Sequence, residues 1–499
     1  MLFVRYILSD ILRRMYSTQA VDQDVLKSLE TNVYERLQTS LQAYSMTLNA
    51  ENLWTLLTYI AITAQQRGWH LYLVGGVVRD LLLTPEETLA TLKDIDLVVD
   101  SFRTPVAEGA AVVLAQQVQL QYPEAELQIH DKFQTAALSW RSQLGSAPLT
   151  MDIATARTEF YPYPAANPEI EPGSIYQDLY RRDFTINAMA IRLTSPRSGL
   201  LLDFFSGYLD IQQRQIRVIH IDSFIEDPTR IFRAVRFAVR LGFAIDTQTE
   251  ALIRYAVDSN IYTDMQQTQK RLPALQTRLK AELSYMLQTD YWAQSLELLN
   301  KLGALSCLHP SLLLNTKLWQ QMYRVGQWRQ RFIDAVGKDI NVAPWLMRLE
   351  VLLAEVESCA QIASSLQLPL GSIRRLRQLD IVEDALLDIF TNTKQIKASL
   401  IYQTLATYEL PLLLLLSVRH PQRIGTHVYY YISHLIHCRS PINGHYLKRL
   451  GYSPGPLYQK ILTALNYAVL DGDVTSLASA EAYLKKHYPM ENGHRSRNT

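Results

Sequence analysis

Two aspartates with one residue between them, Asp94 and Asp96 in "KDIDLVVD", pose an electrostatic problem. Side chains alternate across a strand, so both carboxylates share one face while Ile95 and Leu97 point to the core. Burying such a pair costs several kcal/mol unless positive charge answers it. A hard divalent cation does so: Mg²⁺ takes one or two carboxylates and completes its shell from phosphate oxygens. Two such ions can hold the attacking and leaving oxygens of a phosphoryl transfer. Upstream, Gly75 and Gly76 let the backbone approach a ligand closely, and the N–H groups opening the next helix suit phosphate. Arg79 lies one turn into that helix, within reach of the same phosphates.

Two later stretches carry more charge. "RRDFTINAMA" (181–190) sets Arg182, Asp183 and Asn187 at the start of a helix, as an anion and sugar site or as a charged N-terminus with a capping aspartate. "EDPTRIFRAVRFAVRLGF" (226–243) puts Asp227 and Arg230 three apart on one helix face, with Arg233, Arg236 and Arg240 on nearby faces. Alone, that spacing also describes a plain i,i+3 ion pair.

The elements that must position these groups are legible in outline. Residues 51–67 have helical apolar spacing, "HLYLVGG" is a strand entering a tight turn, and "VVRDLLL" is helical. "DIDLVVD", "ELQIHDKFQTAALSW" and "PLTMDIATART" read as strands. Residues 160–177, with Pro162, Pro164, Pro168 and Pro172, read as a loop, and one of that length is usually functional. "LYRRDFTINAMAIRL" returns to helix and then strand, and "LLDFFSGYLDI" is a strand, a turn at Gly207 and a hinge. From about residue 222 strand signals fade and helix follows helix. The fold class is α+β: a small mixed-sheet head with helices, then an all-α neck, body and tail.

Bulk numbers bound the function. The 499 residues suit two to four domains, and 48% apolar content supports real cores. Net charge is +1, so any nucleic-acid binding needs local basic patches. Cys307, Cys359 and Cys438 are too few and too scattered for a disulfide framework or a cysteine zinc site, which fits a reducing compartment. "MLFVRYILSDILRRMY" is too short and charged to span a bilayer and lacks a small-residue cleavage site. It reads as an extra helix in preference to an organelle transit peptide. "LPLLLLLSV" (410–418) is also too short to span and reads as a buried helix. The expectation is a cytoplasmic protein with no membrane partner.

Strand, GG turn, helix and DxD strand together resemble the nucleotidyltransferase signature of the DNA polymerase beta superfamily. Seventeen residues separate Gly76 from Asp94, longer than the usual pattern, so a small insertion around "TPEETLAT" is expected. The ordered motifs "VGGVVRD…DID", "RRDFTINAMA", "DFFSGYLD", "EDPTRIFRAVRF" and "TRLKAEL" resemble the class II tRNA nucleotidyltransferases, which build the CCA end of tRNA, and the related bacterial poly(A) polymerases. "NGHYLKRLGYSPGPLYQKIL" resembles a bacterial tail segment. The resemblance spans roughly residues 65–475.

It implies metals on Asp94 and Asp96, and triphosphate against Gly75, Gly76 and Arg79. Arg182, Asp183 and Asn187 would lie around ribose and phosphates, with Arg233 and Arg236 also binding nucleotide. Asp227 and Arg230 would read the base, while Arg278 and Glu282 brace the neck helix. A third carboxylate is expected, and Asp152 is the best placed. It would hold metal or take a proton, unless it is a structural partner of Arg157. The implied domains are an extension at 1–50, a catalytic head at 51–195, a neck at 196–300, a helical tRNA-binding body and tail at 301–487, and a disordered end at 488–499.

Base choice has a physical account. Cytosine and adenine both present an amino donor beside a ring-nitrogen acceptor. An aspartate accepts from the amino group while an arginine donates to the ring nitrogen. Uracil and guanine reverse that order, and each lost buried hydrogen bond costs about 1–3 kcal/mol. Asp227 with Arg230 would therefore take CTP and ATP without a template.

The helical half would grip tRNA by shape and phosphate contacts, through Arg324, Arg329 and Arg331, then Arg374, Arg375 and Arg377, then Lys448 and Arg449. Each patch alone also fits a solvated helix face. An HD-type phosphohydrolase is disfavoured, since only His130-Asp131 offers that dipeptide. A non-enzymatic RNA-binding protein is disfavoured by the intact Asp94 and Asp96. Full CCA, CC, A and poly(A) addition remain open as products, with the Pro-rich segment the place to look for a switch from C to A.

Overall fold

The computed structural model describes residues 53–83, 94–130, 133–140, 149–259, 273–392 and 396–489, with residues 35 and 37–39. The insertion expected near 84–93, nearly all of the expected N-terminal extension, and the end from residue 490 lie outside the described residues. The chain forms two compact units, Met1–Glu282 with Ala293–Cys307, and Leu283–Trp292 with Leu308–Thr499.

The first unit is built on a sheet of seven strands. These are β1 (His70–Val74), β2 (Asp94–Asp100), β3 (Glu126–His130), β4 (Thr135–Trp140), β5 (Leu149–Thr155), then β8 (Met189–Arg192) and β9 (Leu201–Asp203). Their spatial order is β3-β4-β5-β2-β1-β8-β9. Every neighbouring pair is antiparallel except β2 and β5. That parallel pair sets Asp96 directly against Asp152. Ile95, Leu97, Met151 and Ile153 are buried on one face, where α1 (Leu53–Gln66) and α3 (Ala110–Gln121) pack on the sheet. The other face starts as an apolar cluster with Tyr72, Val74 and Val98, and gives way to Asp96 and Asp152. Between these helices, α2 (Gly76–Leu83) follows the double glycine.

The Pro-rich segment is not a loop throughout. Arg157–Phe160 (β6) pairs antiparallel with Glu169–Pro172 (β7) as a two-stranded ribbon. Pro172 ends its strand, where no ladder N–H is needed, so proline is compatible with the ribbon. The connecting residues are pinned: Ala165 N donates to the carbonyls of Ile225 at 3.3 Å and Glu226 at 3.1 Å.

Helix α4 (Ile175–Tyr180) opens with a capping box between Ser174 and Gln177. The "RRDFTINAMA" stretch therefore leaves a helix instead of starting one. Arg181 caps α4, and Thr185–Asn187 forms a single 3₁₀ turn before β8. After β9, α5 (Gly207–Gln212) packs closely on the turn before β8. Asp203 caps it, accepting from Gly207 N at 2.7 Å and Tyr208 N at 2.9 Å. A Cβ on Gly207 would lie 2.3 Å from the Thr185 carbonyl oxygen, so only glycine lets the two segments touch. The short α6 (Ser223–Glu226) leads into α7 (Thr229–Leu241), which ends at Gly242 with φ +66°.

In the second unit, helix Thr316–Val336 packs against helix Leu410–Arg419, whose Leu412–Val418 segment is wholly buried. A separate apolar cluster holds Leu447, Ile461, Leu465 and Leu484 together. No single described helix is long and apolar enough to cross a membrane.

Candidate active site

Asp94, Asp96 and Asp152 share one face of the sheet, and no described side chain forms a salt bridge with any of them. Burial raises the Asp96 carboxyl above its ordinary range; Arg182 opposes this, while Asp152 and Asp94 add to it. Burial and Asp94 raise Asp152 in the same way. Asp96 is half-buried and Asp94 and Asp152 are exposed beside it, and three carboxylates gathered on one face suit a divalent cation. Among the described residues no three ligating side chains converge on one point. A cation held here would fill its shell from phosphate and water. Arg157 pairs with Glu159 at 3.0 Å, so it is not the partner of Asp152.

Gly75 stands beside these groups with φ +78°. A Cβ there would lie 2.9 Å from Asp96 Oδ2 and 3.6 Å from Arg182 Nη1. The glycine thus keeps the backbone against the carboxylate and an arginine at once.

These groups open on a cavity of about 940 Å³, lined among described residues by nine arginines and six carboxylates. The positive surplus suits a polyphosphate. Arg79 Nη1 donates to Asn187 Oδ1 at 2.8 Å, and Asn187 Nδ2 to Asp183 Oδ1 at 3.1 Å. Asp183 Oδ2 accepts from Arg233 Nε at 2.7 Å. Arg233 and Arg236 both reach Glu282, at 3.3 and 2.6 Å. Asp183 is buried with both oxygens engaged, so it orients Asn187 and Arg233. Arg182 Nε and Arg278 Nε are buried without a hydrogen bond in residues that line this same cavity.

Asp227 precedes α7. Its Oδ1 accepts from Thr229 N at 3.0 Å and Thr229 Oγ1 at 2.6 Å, while Oδ2 lies 3.5 Å from Arg278 Nη2. Arg230 donates to Ser223 Oγ at 2.6 Å and the Arg181 carbonyl at 2.8 Å, with His220 Nε2 at 3.4 Å. Burial and Arg230 push His220 down to about 3, so its ring is neutral and accepts from Arg230. Asp227 Oδ2 has that longer Arg278 contact and no hydrogen bond, and Arg230 keeps donors beyond its three contacts.

Tyr161, in the ribbon's connection, lines the cavity among the groups around Asp227. Burial pushes its phenol up to about 12; Arg230 opposes the rise and Glu159 and Asp227 add to it. Glu159 also receives Arg181 at 2.8 Å. Arg157, Glu159, Tyr161 and Arg181 all line the cavity, and none was singled out from the sequence as a ligand-site group. Their signal was present: residues 157, 159 and 161 alternate as one strand face does.

The basic residues of the helical half divide. Arg374, although exposed, pairs with Glu409, and Arg329 pairs with Asp339 at 2.5 Å. Arg375 is 4% exposed and held by the buried Glu350. It is a core ion pair and does not belong to an RNA-facing patch. Arg377 and Arg449 are exposed. Arg449 lies 4.8 Å over the Tyr446 ring. His130 ends β3, and its neighbour Asp131 lies outside the described residues.

Comparison with known proteins gives consistent matches. Residues 71–217 match the Poly A polymerase head domain family. An A-adding tRNA nucleotidyltransferase of Geobacter sulfurreducens is 31% identical over 415 residues, covering 81% of this chain and 44% of that protein. One from Aquifex aeolicus is 39% identical over 254 residues, covering 50% of this chain and 27% of that protein. The chain thus spans less than half the length of these curated relatives. A solved CCA-adding enzyme in an apo form aligns at TM-score 0.69 and 28% identity, covering 90% of this chain and 98% of that one. A Thermotoga maritima CCA-adding enzyme solved with tRNA aligns at TM-score 0.66 and 27% identity, with coverage of 90% and 98%.

Proposed function

We propose that this chain, which belongs to the family of class II tRNA nucleotidyltransferases and bacterial poly(A) polymerases, adds C and A to the 3′ end of tRNA from CTP and ATP. The observation that carries the reading is one arginine-rich cavity holding both the Asp96–Asp152 face and the Asp227–Arg230 pair. Solved relatives described with CTP, with ATP and with tRNA support it.

The tRNA 3′-oxygen attacks the α-phosphorus in line, and the bond to pyrophosphate breaks. Asp94 and Asp96 would hold a divalent cation, Mg²⁺ in this reading, which would supply acidification of the hydroxyl and charge for the leaving oxygens. Asp152, on the same face, is left to take the hydroxyl proton. Gly75 and Gly76 let the phosphates approach the backbone, and Arg79, Arg182, Arg233 and Arg236 answer their charge. Asp227 Oδ2 accepts the amino proton of cytosine or adenine while Arg230 donates to the ring nitrogen. Mostly, the protein supplies position and field. The helical unit would hold tRNA by shape and phosphate contacts, through Arg377, Lys448 and Arg449.

A narrower reading, addition of A alone, is favoured by the two A-adding relatives. Incubation of tRNA lacking CCA, tRNA ending in CC, and unrelated RNA with CTP, ATP or both separates the products. C incorporated on the first substrate excludes the A-only reading. Extension of unrelated RNA with ATP turns the assignment to poly(A) synthesis. Asp96→Ala should abolish incorporation while tRNA binding persists; undiminished incorporation would sink the mechanism.

A further inference from the structure

Phe237 is a buried ring on α7, 5% exposed, in the wall of the cavity. Three guanidiniums stand over it. Arg236 lies 4.5 Å from its centroid, Arg79 5.2 Å and Arg233 5.4 Å. Arg79 comes from the helix after the double glycine and the other two from α7, so one ring joins two parts of the site. Each guanidinium also has a carboxylate: Asp80 at 2.7 Å for Arg79, Asp183 at 2.6 Å for Arg233, and Glu282 at 2.6 Å for Arg236.

Three like charges gathered on one ring repel one another. The carboxylates fix their edges, and the negative π face supplies a directed attraction to all three. An aliphatic side chain would fill the space without that attraction. We infer that Phe237 is a positioning residue whose π face holds Arg79, Arg233 and Arg236 in the arrangement that receives a polyphosphate. The inference rests on reading the cavity as a nucleoside triphosphate site. Phe237 touches no reacting atom and acts through the arginines.

Three variants separate the ring's electrostatic role from its packing. Phe237→Leu keeps an apolar filler and removes the π face. Phe237→Tyr keeps the π face. Phe232→Leu removes an equally buried ring from the same helix, over which no described guanidinium stands. The readouts are the Kd for inorganic tripolyphosphate and the KM and kcat for ATP with an RNA acceptor. Phe237→Leu should raise the Kd and KM about tenfold with kcat held within about twofold, and Phe237→Tyr should restore both. Phe232→Leu should lower Tm and leave both unchanged. Unchanged values in Phe237→Leu overturn the inference, as does an equal loss in Phe237→Tyr or the same shift in Phe232→Leu. If wild-type protein binds tripolyphosphate, and Phe237→Leu weakens that binding, but no nucleotide is transferred, the transfer reading falls and the role of Phe237 stands. If transfer proceeds with the same ATP KM in Phe237→Leu, the role of Phe237 falls alone.

Discussion

At the scale of single residues, the proposed selectivity rests on which atoms are left over after the protein has used its own groups. Asp227 spends Oδ1 on Thr229, while Oδ2 has only the 3.5 Å approach of Arg278 Nη2. Asp227→Asn should let the remaining oxygen keep that cap and turn Oδ2 into a donor. CTP and ATP should then lose about tenfold or more in kcat/KM, since a mispaired buried group costs about 1–3 kcal/mol, while UTP gains relative to CTP. Competition of CTP against UTP in a single-addition assay measures this. The Asp94–Asp96 spacing was readable because strand alternation is a local rule. The freedom of Asp152 was not, because Arg157 had two carboxylates to choose from and only the fold shows that it takes Glu159. Phe237 was invisible for the same reason: in the sequence it is one more apolar position on a helix.

At the scale of elements, two glycines carry the geometry. Gly75 holds the backbone against Asp96, and Gly207 holds α5 against the turn before β8. Gly207→Ala would drive a Cβ into the Thr185 carbonyl and displace the turn that carries Asn187. Overpacking of this kind costs about 1–3 kcal/mol, so a lowered Tm and a raised nucleotide KM are expected together. A thermal melt beside a kinetic assay checks both. The Pro-rich stretch misled because proline argues against central strands only. An edge ribbon tolerates it at strand ends, and pairing across eight connecting residues leaves no local mark. In "DFFSGYLD" the two aspartates serve folding, Asp203 as a cap and Asp210 as the 2.6 Å acceptor of Thr185.

At the scale of the whole chain, the helical half was legible as helices, and the mistake lay in its charges. Arg375 sits among basic neighbours in sequence, but its partner Glu350 is 25 residues away and wholly buried. Arg375→Ala should therefore cost about 3–5 kcal/mol of stability by stranding that carboxylate, seen as early urea unfolding. Neutralising Arg377, Lys448 or Arg449 should instead leave Tm alone and lower the salt slope of RNA binding by about one for each phosphate the side chain had neutralised. The same helical unit holds a carboxylate with a pH signature. Burial alone would raise Glu383, but hydrogen bonds from His420 and Arg419 overcome it and bring its carboxyl down from 4.5 to about 2. Its contribution is therefore full above pH 4.5 and is lost as pH falls toward 2. Glu383→Gln should flatten stability against pH in that window, measured by denaturant midpoints.

On the proposed reading, the arginines of the cavity also bear on what happens after the bond has formed. Pyrophosphate keeps the two phosphates that the guanidiniums held in the substrate, so the wall that attracts the triphosphate also retains the product. Departure of that anion should govern turnover, and accumulated pyrophosphate should drive the exchange backward and shorten the RNA. Added pyrophosphatase should relieve both effects in a time course. A site proposed to build an end is, by its own charge, fitted also to take one apart.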